Sequence, residues 1–282
     1  MTAAVHTPAG RTWIITPATG DASRFTTAQT CGADVALVDL EDSVAPDHKP
    51  AARTRAQTFF AQPPGACTLG IRINALITRD GVQDLLAITQ YPSRPAVVLV
   101  PMVESARDVE VTAAVLDTTG YTPQIYALIE TPRAIDKLPS IVRAQRLAGL
   151  FFGSADNARL LGCTLDWETL LYARSRLVSC AADAALPAVD APYFDLNDLD
   201  GLKQEAEKDR ALGFHGKGIV HPRQLPVVAA AFHPTEEEIT HARAVVAASR
   251  QSGTGIVAVG GHMVGAPLLA RAHAVLAQAG ES

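Results

Sequence analysis

Eight times before residue 225 the chain repeats one unit, a short apolar run rich in β-branched residues followed by a stretch of helical character. The runs are Trp13–Thr16 (closed by Pro17), Ala33–Leu40, Thr68–Ile73, Ala96–Val100 (closed by Pro101), Gln124–Ile129, Leu147–Phe152, Ala188-Val189 and Lys217–Val220. Runs of this length without strict polar alternation suit strands covered on both faces. Between them, Ala51–Phe60, Ser105–Leu116, Trp167–Ala185 and Leu199–Leu212 have helical spacing or composition, and Gly213 stands where a helix C-cap belongs. Strands alternating with helices over short connections predict a parallel sheet. Eight such units favour an α/β (β/α)8 TIM barrel over an open doubly wound sheet, and no G-x-G-x-x-G loop follows the first strand.

The barrel is expected over residues 11–232 and a C-terminal helical extension over 233–282. Pro234–Glu238 opens a helix, with Thr235 as N-cap and acids in the first turn. That helix runs to about Ser252, Gly253-Thr254-Gly255 breaks it, and Ile256–Val259 and a last helix over Ala266–Ala279 follow. The extension is too short for an independent domain and is expected to pack on the barrel or on a neighbouring subunit.

Composition excludes several classes of function. Hydrophobic residues make up 48% of the 282 and charged residues 19%, the opposite of a disordered chain. The 24 basic and 29 acidic residues leave a net charge of −5, which offers nucleic acid no basic surface. Cys31, Cys67, Cys163 and Cys180 are far apart, with no C-x-x-C, so neither a disulfide framework nor a zinc site is expected. No apolar run approaches a membrane span, and Met1–Gly10 has neither the basic nor the apolar region of a secretory leader. A cytoplasmic protein is expected.

In a barrel of this kind reacting groups stand at the C-terminal ends of the strands. That rule selects Asp39-Leu40-Glu41-Asp42 after the second strand, Arg72 on the third, Glu104 after the fourth, Glu130 at the end of the fifth and Asp156 after the sixth. Any one carboxylate alone is more readily a helix cap or a rim pair; Asp42 suits a turn cap and Glu104 the start of a helix. Arg72, between isoleucines, needs a partner or an anionic ligand. Together, Glu130 and Asp156 on successive strands can converge on one hard cation, for which Mg2+ is the natural choice. Arg72 across the mouth can then hold a carboxylate in a bidentate fork, so that the site takes a 2-oxo or 2-hydroxy acid with the metal as Lewis acid. His221 faces the same end, as a rim hydrogen-bonding group before a catalytic one. Lys217 and Lys137 carry little weight as Schiff-base lysines, since Lys217 opens its strand at the wrong end. No G-x-S-x-G and no P-loop occurs.

From about Arg11 to Ala272 the ordered motifs resemble the HpcH/HpaI aldolase and citrate lyase β-subunit superfamily, in its citrate lyase β-like branch. They include Arg11–Pro17, Gly32-Ala33-Asp34, Asp39–Val44, Ile71–Asn74, Ala127–Thr131, Phe152-Gly153 with Asp156, Tyr193-Phe194-Asp195, Gly201-Leu202, Ala211–Phe214, Gly216-Lys217 and His221-Pro222-x-Gln224. The resemblance implies a TIM barrel in trimers or hexamers, Mg2+ on Glu130 and Asp156, and Arg72 on the carboxylate or oxo group of a small acid. Arg11 and Asp42 are expected to join Arg72 in binding substrate, and Arg72 and Glu41 to be catalytic. It further implies retro-Claisen cleavage of citryl, malyl, methylmalyl or citramalyl thioesters, on coenzyme A or a carrier protein, with release of a 2-oxo acid. Hydrolysis or condensation on the same fold, or ligand binding without turnover, are the competing readings. Relatives end on D-G-x-M-[VI]-D where this chain has Gly260-Gly261-His262-Met263-Val264-Gly265, and they carry lysine where it has Met102; the loop 17–24 also departs from their P-G-D-x-P-E-R form. The second of these acids, at the position of Gly265, is the acid/base of malate-synthase-like relatives, and its loss argues against chemistry of that kind. The base is then Glu41, Asp42 or a metal-activated hydroxide.

Overall fold

The computed structural model describes residues 10–61, 66–252 and 256–281. Eight parallel strands close into a barrel in chain order. They are β1 (Thr12–Pro17), β2 (Val35–Asp39), β3 (Thr68–Arg72), β4 (Val97–Val100), β5 (Gln124–Ile129), β6 (Leu147–Phe152), β7 (Ala188–Asp190) and β8 (Gly216–Ile219). The helices between them are α1 (Ala22–Thr30), α2 (Lys49–Phe60), α3 (Arg79–Ile88), α4 (Ala106–Asp117), α5 (Pro132–Ile141), α6 (Ser154–Leu161), α7 (Leu171–Asp183) and α8 (Leu199–Leu212). The chain divides into two compact units at Ala229/Ala230, within the helix α9 (Leu225–Phe232).

Alternation along each strand decides what fills the barrel. Trp13, Val35, Leu37, Val97, Leu99, Tyr126, Leu128, Phe151 and Val189 form its buried interior. The Trp13 ring stands edge-on to Tyr126 and Phe151 at 4.7 and 5.8 Å. Continuing the same period places Asp39 two residues after Leu37 and Glu130 two after Leu128, at the C-terminal rim. The opposite period faces the helices. There Lys217 of β8, fully buried, donates to Asp190 (2.8 Å), Glu205 (2.7 Å) and Asp209 (2.7 Å). Arg174 of α7 adds bonds to Asp190 at 3.0 and 3.3 Å. The carboxylates of Asp190, Glu205 and Asp209 have the spacing of a cation cradle. The ammonium of Lys217 is the cation they hold, so this cluster belongs to the wall of the barrel. Lys217 is correspondingly removed from any Schiff-base role.

Helix ends follow the sequence closely. The Ser105 hydroxyl and the Asp108 carboxylate form a reciprocal capping box on α4, and Gly213 ends α8 at φ 113°. The second unit contains α10 (Glu236–Ser252), a hairpin of β9 (Val257–Val259) and β10 (His262–Val264), and α11 (Ala266–Gln278). Its own core is Ala242, Val245, Val246, Val264 and Ala272. Thr235 caps α10 as expected, accepting from Glu238 N at 3.1 Å while Glu238 accepts from Thr235 N at 2.8 Å. The expected break at Gly253-Thr254-Gly255 lies outside the described residues. Instead of one apolar run, the segment after it is a hairpin turning on Gly260 and Gly261, whose φ of 57° and 80° suit a two-residue turn. Among the described residues no helix is long and apolar enough to cross a membrane.

Candidate active site

A cavity of about 1050 Å3 opens at the C-terminal rim of the barrel, lined by Asp39, Asp42, Arg72, Glu130, Gly153 and Asp156 on its polar side. Leu99, Leu128 and Phe151 form its floor, and Phe194, Leu196 and Val220 an apolar wall. The parallel register sets Arg72 of β3 directly beside Asp39 of β2. Arg72 Nε and Nη2 donate to the two oxygens of Asp39 at 2.6 and 2.8 Å. Asp39 is thus the partner that an arginine within a buried strand requires. The Nε edge of the guanidinium is committed to Asp39, so a substrate carboxylate is limited to the Nη1/Nη2 edge, where Nη1 is shared with Glu41 and Asp42. Nη1 also donates to Asp42 at 3.3 Å. Asp39 is fully buried; burial works to raise its carboxyl, and Arg72 outweighs it, so the group stays below the usual carboxylate range.

Glu41 Oε2 lies 3.0 Å from Arg72 Nη1. The two atoms are close without hydrogen-bond alignment, so the attraction is Coulombic and Oε2 is buried with no hydrogen-bond partner. Burial pushes the Glu41 carboxyl up to about 9; Arg72 opposes this, and the charges of Glu130, Asp42 and Asp39 reinforce it. Glu130 is 2% exposed. Its Oε1 accepts from the Met102 backbone N–H at 2.7 Å. Met102 takes φ 53°, a left-handed backbone unusual for a side chain of this size, and this conformation accompanies the N–H directed at Glu130. Burial pushes Glu130 up to about 7; the Met102 N–H and Arg72 oppose it, and Asp156 and Asp42 add to it. Asp156, in the first turn of α6, accepts from Arg159 at 3.0 and 2.7 Å.

This donor set fits a hard divalent cation. Glu130 and Asp156 line the same cavity and feel each other's charge, and the nearby Arg72 is already engaged by Asp39. The backbone also makes room for them: a Cβ on Gly153 would lie 2.4 Å from Glu130 Cβ and 2.7 Å from its Oε2. Gly153→Ala is therefore expected to displace the Glu130 carboxylate and weaken Mg2+ binding by about tenfold or more, since supporting contacts of metal ligands are worth that much. Calorimetric titration with Mg2+ measures it; affinity equal to wild type contradicts the assignment of Glu130.

Arg11 does not join these groups. It precedes β1 at the N-terminal end of the barrel, where its backbone N–H donates to Asp34 and its carbonyl accepts from Lys217 N. Arg11 is not among the cavity-lining residues, which on this strand begin at Ile14, about 10 Å further along. The expected substrate contact of Arg11 is corrected accordingly. Asp42 does line the cavity, and its side chain is 62% exposed. Glu104 pairs instead with Thr131 Oγ1 (2.8 Å) and Arg133 (3.2 Å). His221 lines the cavity, but its Nδ1 caps the next turn by accepting from Arg223 N at 3.1 Å. Gly265 is the N-cap of α11 and offers no side chain there. The part played by Asp39 and by the Met102 N–H was missed from sequence. Period-two counting from Leu37 is the signal that finds Asp39; nothing in the sequence signals the Met102 backbone.

A family profile described as HpcH/HpaI aldolase/citrate lyase matches residues 18–222. The chain is 35% identical to a citrate lyase subunit beta-like protein of Mycobacterium tuberculosis, covering 97% of each. It is 33% identical to a (3S)-malyl-CoA thioesterase of Cereibacter sphaeroides, covering 84% of this chain and 83% of that one. Among solved structures, CitE from Mycobacterium tuberculosis in complex with magnesium, acetoacetate and coenzyme A superimposes with a TM-score of 0.85 and 34% identity, over 97% of this chain and 99% of that one. A closed parallel barrel, a rim cavity with a carboxylate pair, and identity of this extent over nearly the whole length agree: the chain belongs to the HpcH/HpaI aldolase/citrate lyase family.

Proposed function

We infer that this cavity cleaves a carbon–carbon bond, in the retro-Claisen sense, in a citryl-, malyl- or citramalyl-like hydroxyacyl thioester or a related hydroxy acid. The products are a 2-oxo acid and an acyl thioester. The observation that carries this is that Arg72, Glu130 and Asp156 line one cavity, with Glu41, not itself a lining residue, 3.0 Å from Arg72. Glu130 and Asp156 are the residues that would hold Mg2+, which when bound supplies Lewis acidity to an oxygen of the acid half.

The chain's own residues supply the rest. The Nη1/Nη2 edge of Arg72 orients the carboxylate of the acid half. Glu41, as carboxylate, takes the proton of the substrate hydroxyl. The carbon–carbon electron pair moves into the thioester as an enolate, while the hydroxyl carbon becomes the oxo carbon. The same carboxyl then returns its proton to the enolate carbon, so no proton is gained or lost overall. A homotrimer or hexamer belongs to the same proposal, and a light-scattering mass of one chain overturns that part.

Hydrolysis of the thioester is the second reading, favoured by the similarity to a malyl-CoA thioesterase. The two are separated by their products. With Mg2+ and malyl-, citramalyl- and citryl-coenzyme A in turn, cleavage yields 2-oxo acid without free thiol. Hydrolysis yields free thiol without 2-oxo acid. Hydrazone formation and a thiol reagent read both in one series. Glu130→Gln is expected to lower the rate of cleavage by at least about 100-fold. Undiminished turnover in that variant removes Glu130 from the site. A wild-type protein forming neither product overturns both readings in favour of ligand binding without turnover.

A further inference from the structure

Lys49 opens α2, in the first turn of a helix, where a cation opposes the helix dipole. Among the described residues it forms no ion pair. Its ammonium instead donates to the backbone carbonyls of Leu40 (3.1 Å) and Glu41 (3.0 Å) and to Asn74 Oδ1. That uses all three of its donors. Asn74 donates a second bond to the Leu40 carbonyl at 2.9 Å. It is itself anchored by Asp84, which accepts from Asn74 N at 2.9 Å and Nδ2 at 2.6 Å and from Arg53 Nε at 2.6 Å. On the other side, Asp39 accepts from Glu41 N at 2.9 Å and Ser43 N at 3.2 Å. The Glu41 peptide is thus clamped at its N–H by Asp39 and at its carbonyl by Lys49 and by Val44 N, at 3.0 Å each.

The Glu41 carboxylate itself is held only by charge: among the described residues no hydrogen bond reaches it, and Oε2 lies 3.0 Å from Arg72 Nη1 without alignment. The backbone clamp, together with the attraction of Arg72, therefore sets where this carboxylate stands. We propose that Lys49 is a positioning residue, which holds the 39–43 turn so that Glu41 lies beside Arg72 in reach of the substrate proton. This rests on the role of Glu41 in the proposed cleavage.

The test compares Lys49→Met, Lys49→Arg, Glu41→Gln and the double variant Lys49→Met/Glu41→Gln in the full-length protein. Peptide-level hydrogen exchange is expected to speed up across 40–44 in Lys49→Met, with wild-type rates in the other barrel strands. Its kcat is expected to fall about 30- to 100-fold, with KM and Mg2+ affinity within about threefold of wild type. Lys49→Arg, which can still donate to the two carbonyls, is expected to recover part of the loss. The double variant is expected to be no slower than Glu41→Gln alone, because a group that acts only through Glu41 has nothing left to position. Unchanged exchange across 40–44, an unchanged kcat, or a Lys49→Met loss that multiplies in full onto Glu41→Gln overturns the positioning role. Full activity in Glu41→Gln overturns the role assigned to Glu41, and a wild-type protein without turnover overturns the cleavage reading; the Lys49 role falls with either, and the exchange data show which level failed.

Discussion

Lys217→Met is expected to destabilise the barrel by about 3–5 kcal/mol, the cost of removing one partner from a buried ionic cluster. For a chain of this size that lowers the melting temperature by roughly 10 °C. The ammonium has no exposed surface, and all three of its hydrogen bonds end on carboxylates. Methionine fills the volume but leaves Asp190 and Asp209, both fully buried, facing each other with only Arg174 between them. The pH dependence gives the sign. In the intact cluster, burial works to raise Asp190, but Lys217 and Arg174 outweigh it and hold it below the usual carboxylate range. Asp209 is held above that range by burial and by the charge of Asp190, with Lys217 opposing. Removing Lys217 raises both. A carboxyl whose folded value is raised makes the folded state bind more protons than the unfolded chain, so its stability falls as pH rises from about 4 through the raised value. The deficit of the variant against wild type is therefore smallest near pH 4.5 and largest at pH 8. Thermal melts across that range measure it; a deficit independent of pH shows that packing, and not charge, was lost.

Arg72→Lys is expected to lower kcat/KM for 2-oxo acid release by about 10²- to 10³-fold while the chain stays folded. A guanidinium can hold Asp39 on one edge and face the cavity with another; an ammonium is a single point of charge and serves Asp39 alone. The Asp39 carboxylate keeps a cation and its bonds from Glu41 N and Ser43 N. Arg72→Ala removes that cation and adds a stability loss of about 3–5 kcal/mol, as for any fully buried carboxylate left unpaired. Calorimetry with pyruvate, oxaloacetate and glyoxylate in the presence of Mg2+ separates the two effects. Arg72→Lys should melt near wild type yet bind none of them. If it binds a 2-oxo acid as tightly as wild type, Arg72 serves the barrel wall and not the substrate.

The barrel was legible because it depends on local patterns. Eight apolar runs, the Thr235 cap and the Gly213 C-cap are decided within a few residues, and each recurs in the structure. The rim carboxylates were legible for a related reason, since a residue that ends a barrel strand has its place at the C-terminal face whatever its neighbours are. Partners were not legible. Asp39 and Arg72 are 33 residues apart, and only the pairing of β2 with β3 brings them together. That pairing commits the Nε edge of Arg72 to an internal ion pair and limits any substrate fork to its Nη1/Nη2 edge. Arg11 stands in a motif beside the strand that leads to the site, but at the end of it that faces away. Lys217 needed β8 to pair with β7 and to be covered by α8 before its three carboxylates could meet. Periodicity in one dimension thus settled the architecture and which end of it is reactive. The closing of the sheet settled which charges neutralise one another and which are left for a ligand, because a hydrogen bond reaches only about 3 Å and sequence distance carries no information on that scale.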